Sequence, residues 1–238
     1  MAIFSLKKAL NRGAILLGMG VFLTGCLSTT PPKEYDYSAF KASDPHSILV
    51  LPPINNTPEP LASDAILSAV SYPIAESGYY VVPVSLVRET LRQNGVLTPD
   101  DAQQISRKKL HQIFGADAIL YLTVTSYGTS YQVINSETRV AINGELVDAR
   151  TDAKLWDGAR TVSESSNDGN NSAIGALLSA VVSQISATVS DYSYEVGQKT
   201  SRTLLSAGYR DNILHGPYSP HYWKEKKDRR EIKSQHFN

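Results

Sequence analysis

Ser47-Ile48-Leu49-Val50-Leu51-Pro52-Pro53 is the stretch that decides the fold of this chain. Four consecutive aliphatic residues are followed by two prolines, which lack the N–H that a strand's hydrogen-bond ladder needs. A short, uninterrupted apolar run is typical of a strand that is buried on both faces, because neither face needs polar residues. The stretch therefore predicts a strand with packed side chains on both sides.

Helical segments follow this strand along the chain. Thr57-Pro58-Glu59 combines a capping residue, a proline suited to the first helical position and an early carboxylate, so it marks a helix start. Apolar residues then repeat at helical spacing up to Gly78, and Pro73 is expected to kink this helix. Three helices are predicted over residues 57–78, 84–94 and 98–115, with a short strand at 79–83 and a break at Ser106.

From residue 116 the apolar period changes to that of β-strands. Strands are predicted over residues 116–126, 139–149 and 154–163, with Tyr127-Gly128-Thr129 as a bend or bulge. A last helical region covers residues 173–205, with a break expected near Gly197. The order β-α-β-α-α-β-β-β-α predicts a single α/β (α+β) domain, in which helices pack on a mixed sheet of about five strands.

The amino-terminal segment predicts export and lipidation. Basic residues precede an apolar run at 14–23, and Leu23-Thr24-Gly25-Cys26 follows, in the order of a secretory signal. This ending resembles a lipobox, which implies cleavage between Gly25 and Cys26 and covalent diacylglycerol and N-acyl chains on Cys26. The alternative is an uncleaved anchor helix, but the apolar run is well short of the roughly 20 residues that a spanning helix needs.

The signal sets the predicted domain boundaries. We expect a signal peptide at residues 1–25, a lipidated cysteine and flexible tether at 26–44, a globular domain at 45–210 and an irregular charged tail at 211–238.

Leu27 stands where an inner-membrane retention signal of enteric bacteria would have Asp, so resemblance favours the outer membrane, at its periplasmic face or the cell surface. The tail is expected to be solvated, or else to contact anionic lipid headgroups or peptidoglycan.

Composition excludes several classes of protein. The net charge is +0, and without residues 1–25 acidic side chains would outnumber basic ones, which argues against a nucleic-acid partner. The single cysteine leaves no disulfide, zinc-cysteine cluster or thiol nucleophile. Of the five histidines, only His215 and His221 form a pair worth naming, and a solvated loop explains them better than a metal. We therefore expect no metal and no further cofactor.

Catalytic patterns are missing from the sequence. It contains neither Gly-x-Ser-x-Gly nor a phosphate-binding glycine loop. Asp100 and Asp101 are expected to stabilise a helix start, while Asp117, Asp148 and Asp152 are expected to bind local backbone N–H groups. No residue is assigned a catalytic role, and the chain is predicted not to be an enzyme.

The segment of residues 172–190 carries no charge over 19 residues. Its apolar residues form one helical stripe, and Gly175, Ser179 and Ser183 recur every fourth position, which would let another element approach closely. Packing on the domain's own sheet is favoured. A subunit interface and membrane contact are the alternatives.

Several segments resemble known envelope proteins. The segment 48–56, Gly115-Ala116-Asp117-Ala118-Ile119-Leu120 and the segment 146–156 resemble strands of the superfamily that contains the TolB amino-terminal domain and CsgG. Nearly the whole chain after the signal, including Leu214-His215-Gly216-Pro217-Tyr218-Ser219-Pro220, resembles a bacterial lipoprotein family typified by a neisserial surface-antigen candidate. The resemblance implies a compact α/β domain and allows a homodimer. It assigns no catalytic residue, and the long hairpins of a CsgG pore are not evident.

Together these features predict a lipid-anchored outer-membrane protein that is a non-catalytic accessory or assembly subunit of an envelope transport or secretion complex. The expected partners are the membrane, envelope proteins and a second copy of the chain. The alternatives are a peptidoglycan- or small-molecule-binding lipoprotein and, with less support, a cell-envelope hydrolase.

Overall fold

The computed structural model describes residues 35–131, 136–165 and 186–222. The predicted signal peptide, Gly25, Cys26 and the residues Gly175, Ser179 and Ser183 lie outside these ranges, so their assignments remain predictions. Within the described ranges, no helix combines the length and apolar character needed to cross a membrane.

The described helices and strands follow the predicted order, with an additional helix before the first strand and an additional short strand after it. The helices are α1 Ser38–Ser43, α2 Ala62–Glu76, α3 Val84–Gln93, α4 Pro99–Gln104, α5 Arg107–Phe114 and α6 Ser186–Leu205. The strands are β1 Ser47–Val50, β2 Ile54–Asn55, β3 Tyr80–Val81, β4 Ala118–Tyr131, β5 Ser136–Asp148 and β6 Lys154–Ser165. At α4 the predicted cap is present, because the Thr98 side chain accepts a hydrogen bond from the Asp101 N–H.

These strands form one mixed sheet in the order β3-β1-β4-β5-β6, with β2 also paired to β4. β1 is parallel to β3 and β4, whereas β4, β5 and β6 are antiparallel neighbours. The predicted single α/β domain with a mixed sheet is confirmed. The sixth strand, β2, is only two residues long, which explains why the sequence indicated about five.

Helices cover both faces of the parallel part of the sheet. Ile48 and Val50 of β1 pack into one apolar cluster, and Leu49 and Leu51 pack into the other, all at most 1% exposed. The first cluster also contains residues of α2 and α6, and the second contains residues of α3, α4 and α5. The quoted apolar run is therefore buried on both faces, as predicted.

The amino-terminal boundary differs from the prediction. Residues 35–44 were expected to belong to a flexible tether, but α1 lies in this segment and Phe40 is only 3% exposed. The Tyr37 hydroxyl donates a hydrogen bond of 2.5 Å to the carbonyl of Asn212, far along the chain. The domain therefore includes residue 35 onward, because these aromatic rings pack against the main apolar cluster.

The carboxy-terminal boundary also differs. Residues 211–222 were expected to start an irregular tail, yet Ile213 and Tyr222 are at most 5% exposed. The Tyr79 hydroxyl donates to the carbonyl of Leu214 at 2.7 Å, and the Tyr222 hydroxyl donates to the carboxylate of Asp44. We call residues 211–222 the carboxy-terminal strap, since they join the end of α2 to the end of α1.

Three local expectations were wrong. The predicted break near Gly197 is absent, because α6 runs through this position, where a Cβ would stand only 3.1 Å from Ile66 Cδ1. The irregularity in β4 lies between Val124 and Ser126, and the strand continues past Gly128. α2 starts at Ala62 instead of Thr57, because Thr57 is held in a turn by the side chain of Asn55.

Candidate functional site

Of the two strand-end aspartates that the sequence singled out, Asp148 binds local backbone groups as expected, whereas Asp117 binds groups some 70 positions away. Asp117 Oδ2 accepts hydrogen bonds from the N–H groups of His46 and Ser47 at 3.0 and 3.1 Å, and from Ser47 Oγ at 2.9 Å. These contacts fix the start of β1 beside the start of β4. Asp117 therefore has a structural role.

Asp148 lies at the end of β5 and is 1% exposed. Its carboxylate accepts a hydrogen bond of 2.5 Å from Ser43 Oγ and bonds of 2.8 Å from the N–H groups of Arg150 and Thr151. Burial alone would raise its pKa, but the hydrogen bonds from Ser43, Thr151 and Arg150 outweigh burial and lower the pKa to about 2. Asp148 thus holds α1 against the turn after β5.

We expect Asp148→Asn to lower the free energy of unfolding at pH 7 by about 2 kcal/mol. Because the folded-state pKa is depressed, this contribution is present above about pH 4 and is lost as the pH falls towards 2. Urea unfolding at pH 7 and pH 3 measures both effects. Asp100→Asn, at an exposed position, is the control and should change stability by less than about 0.5 kcal/mol. Equal losses in the two variants would contradict a special role for Asp148.

The predicted histidine pair is brought together by the carboxy-terminal strap. The ring centroids of His215 and His221 are 5.0 Å apart, and His215 Nδ1 lies 3.1 Å from Ser219 Oγ. Burial, and then the neighbouring His221, lower the pKa of His215. Among the described residues no group of three metal-ligating side chains is present, so the pair has no third ligand there.

A different surface has the form of a binding site. On one face of β4, β5 and β6 most side chains lie outside the two apolar clusters, although Tyr121 packs against the second cluster. Cross-strand neighbours form two rows on this face: Tyr121, Glu145 and Asp157, then Thr123, Asn143 and Ala159. We call these six residues the open sheet face.

The open sheet face forms the floor of a groove with a volume of about 460 Å³. Gln103 of α4 is its one described wall residue outside the three strands. The Gln103 amide nitrogen donates to the carbonyls of Pro52 and Leu122 at 3.0 and 2.9 Å, which locks the side chain in place. Register shifts at β4 124–126 and β5 146–147 bracket this region, and such bulges often lie beside functional sites.

Acidic groups dominate the charge of the groove. Glu145 of β5 lies directly opposite Asp157 of β6. Asp157 Oδ1 is 2.8 Å from Lys154 Nζ and accepts a hydrogen bond from the Tyr35 hydroxyl at 3.1 Å. The hydrogen bond from Lys154 lowers the pKa of Asp157, and the bond from Tyr35 adds to this despite partial burial. Glu145 is exposed and has no hydrogen-bond or ion-pair partner among the described residues.

Tyr121, which lines the groove, is paired with a cation that does not line it. The Arg107 guanidinium carbon lies 5.7 Å from the centre of the Tyr121 ring, and Arg107 Nη1 is 3.5 Å from Asp152 Oδ1. Burial raises the pKa of Tyr121, and Arg107 opposes this shift. This cation is therefore already engaged by an aromatic ring and a carboxylate.

The floor of the groove rests on Trp156. Gly144 and Gly158 are direct partners in the β5–β6 ladder, and the indole lies against both on the buried side of the sheet. A Cβ at Gly158 would stand 2.4 Å from the ring, so only glycine fits there. Trp156 Nε1 donates to the carbonyl of Asp211 at 2.8 Å, which ties the floor to the carboxy-terminal strap.

Sequence reasoning missed this groove. The predicted strands were located correctly, and the alternation of Asn143 and Glu145 with apolar residues marks one face of β5 as polar. That signal is identical for an ordinary solvated face and for a binding face. Only the packing of α3, α4 and α5, which cover part of this side of the sheet, shows where the groove lies.

Comparison with known proteins identifies close relatives. The family model described as "Putative lipoprotein GNA1162-like" matches residues 35–218. "Putative lipoprotein NMB1124/NMB1162" of Neisseria meningitidis serogroup B is 42% identical over 205 residues, covering 85% of this chain and 95% of the relative. The crystal structure of lipoprotein GNA1162 from Neisseria meningitidis is 46% identical, with a TM-score of 0.50 over 60% of this chain and 99% of that chain.

Proposed function

The chain belongs to the GNA1162-like lipoprotein family, and from this premise we propose that it is a lipid-anchored, non-catalytic accessory subunit of the bacterial envelope. In this proposal Cys26 carries the lipid, the anchor is in the outer membrane, and the domain serves an envelope transport or secretion complex. The lipobox-like Gly25-Cys26 and the following Leu27 support the location.

The observation that carries the proposal is the open sheet face. Asn143, Glu145, Asp157 and Ala159 are exposed on two adjacent strands, whereas Tyr121 and Thr123 are partly buried and Tyr121 packs against the second apolar cluster. Asp148 and Asp117, by contrast, are engaged by structural hydrogen bonds. A broad polar surface on a rigid sheet suits the docking of a protein, because little ordering is required on binding.

A second candidate function is the binding of a peptidoglycan fragment, because a long polar ligand can lie along an open groove lined by Gln103, Asn143 and Glu145. A rise in the unfolding temperature of the purified lipoprotein with soluble muropeptides would favour this candidate over protein docking.

Crosslinking in intact cells tests the first proposal. We expect wild-type protein to crosslink to a defined set of envelope proteins, and Asn143→Arg to reduce that yield by about 10-fold or more, because a long charged side chain blocks the groove. Cys26→Ala should move the protein out of the membrane fraction and also abolish the crosslinks.

Glu137→Arg is the matched control for this experiment. Glu137 lies on the same strand and the same face as Asn143 but outside the groove. The Glu137→Arg protein should therefore retain its crosslinks to envelope proteins. Loss of crosslinks in both arginine variants, or membrane retention of Cys26→Ala, would contradict the proposal.

A further inference from the structure

The chemistry of the groove identifies the partner segment that it fits. We infer that the open sheet face binds a lysine or arginine side chain presented by an extended polypeptide segment of a partner protein. This inference rests on the proposed function and specifies the chemistry of the same site.

Hydrogen-bond acceptors prevail among the polar groups of the groove. Because Gln103 uses its amide nitrogen on two backbone carbonyls, its carbonyl oxygen is the atom left for a ligand. The Glu145 carboxylate is a pure acceptor, and Asn143 adds an amide oxygen on the neighbouring row. No Lys or Arg is among the described residues that line the groove. Such a surface favours a ligand with several donors, as an ammonium or a guanidinium has.

One unneutralised negative charge remains in this surface. Lys154 Nζ pairs with Asp157, and this hydrogen bond and then the charges of Asp157 and Glu145 raise the pKa of Lys154, so two carboxylates share this lysine. Since Arg107 is engaged by Tyr121 and Asp152, one net negative charge remains. Like charges directly opposite each other across strands are destabilising, and Glu145 stands directly opposite Asp157. Lys154 supplies one positive charge for these two carboxylates, and a cationic ligand would supply the second.

The shape of the groove indicates an extended chain. Its floor consists of three adjacent antiparallel strand segments, and its described wall is a single residue of α4. An open trough cannot enclose a free amine, but it can accept a strand-like segment whose alternate side chains point to one side. A single lysine or arginine of that segment would contact Glu145. The peptide side chains next to it on the same side would contact Thr123 and Asn143.

Peptide binding to the full-length lipidated protein in a neutral detergent tests the inference. The probe is a fluorescent Thr-Lys-Thr-Lys-Thr peptide with blocked ends, which places both lysines on one side when it is extended. Fluorescence anisotropy should detect saturable binding of this probe, and the same peptide with norleucine for lysine should bind much more weakly. Glu145→Gln should weaken binding of the lysine peptide by about 3- to 5-fold, the upper part of the range of an exposed ion pair.

Two further measurements separate this role from a general effect of charge. Glu137→Gln removes a carboxylate from the same face of β5 outside the groove and should leave the affinity unchanged. Glu145→Gln should also keep or raise the unfolding temperature, because it relieves the repulsion with Asp157. A binding loss together with unimpaired stability supports a ligand-binding role.

Several outcomes would overturn the inference. They are equal binding of the lysine and norleucine peptides, equal losses in Glu145→Gln and Glu137→Gln, absence of saturable binding, and binding of spermidine as tight as that of the peptide. None of these results depends on Cys26 or on envelope crosslinking. Failure of this inference is therefore distinguishable from failure of the accessory-subunit proposal.

Discussion

Trp156→Ala is expected to lower the free energy of unfolding by about 3–5 kcal/mol. Trp156 is completely buried, and its ring fills the space beside Gly144 and Gly158, next to the side chain of Leu122. Its truncation leaves a cavity and also removes the hydrogen bond to the carbonyl of Asp211. Urea unfolding followed by far-UV circular dichroism measures the loss without relying on tryptophan fluorescence.

Trp156→Phe provides the matched control for this prediction. Phenylalanine retains an aromatic ring against the two glycines but cannot donate to Asp211, so its cost should be smaller, about 1–2 kcal/mol. The alanine variant should also weaken the binding of the lysine peptide, because the floor of the groove loses its support. A cost below about 1 kcal/mol for Trp156→Ala would contradict the importance of this packing.

Gly78→Ala and Gly216→Ala are each expected to cost about 2–4 kcal/mol of unfolding free energy. A Cβ at Gly216 would stand 2.3 Å from the carbonyl oxygen of Gly78, and a Cβ at Gly78 would stand 2.4 Å from the Ser219 nitrogen. Both clashes are with backbone, so no side-chain rotation relieves them. The strap would separate from the end of α2 and lose the hydrogen bonds from Gly216 N–H to Ser77 and from Tyr218 N–H to Gly78.

The double variant tests whether the two glycines act on the same contact, and a third glycine serves as a control. Since either substitution detaches the same strap, Gly78→Ala with Gly216→Ala should cost less than the sum of the two. Gly95→Ala is the control for backbone strain alone, because Gly95 has φ +79° but nothing within 4 Å of its Cβ position, and it should cost about 1–2 kcal/mol. Limited proteolysis should cut residues 211–222 faster in the first two variants. An unchanged rate of cleavage would show that the strap remains docked.

Local chemistry made much of the fold predictable. The apolar run at residues 48–51 required burial on both faces, and the structure places its side chains alternately in two clusters. Thr98 and Gly115 marked the start of α4 and the end of α5, because capping depends on residues that are close in sequence. The alternating patterns of β4, β5 and β6 likewise reflect contacts within each strand pair.

The missed features all depend on distant contacts. Tyr37 looked like part of a polar tether, because its hydrogen-bond partner Asn212 lies 175 positions away. Tyr222 looked like the start of a tail, although it bonds to Asp44 at the other end of the domain. Both side chains have a polar tip and an apolar body, so their sequence neighbours do not reveal whether they are buried.

The sequence by itself determined most of the secondary structure, the mixed α/β sheet and the lipobox-like signal, because periodicity, capping and short motifs act over a few residues. Only the tertiary structure decided the true domain boundaries and the position of the groove. Asn143 and Glu145 become a candidate binding surface because the helices cover the sheet only in part, while Trp156 supports the strands from behind. How far one element covers another is a property of packing between distant segments, and no local pattern encodes it.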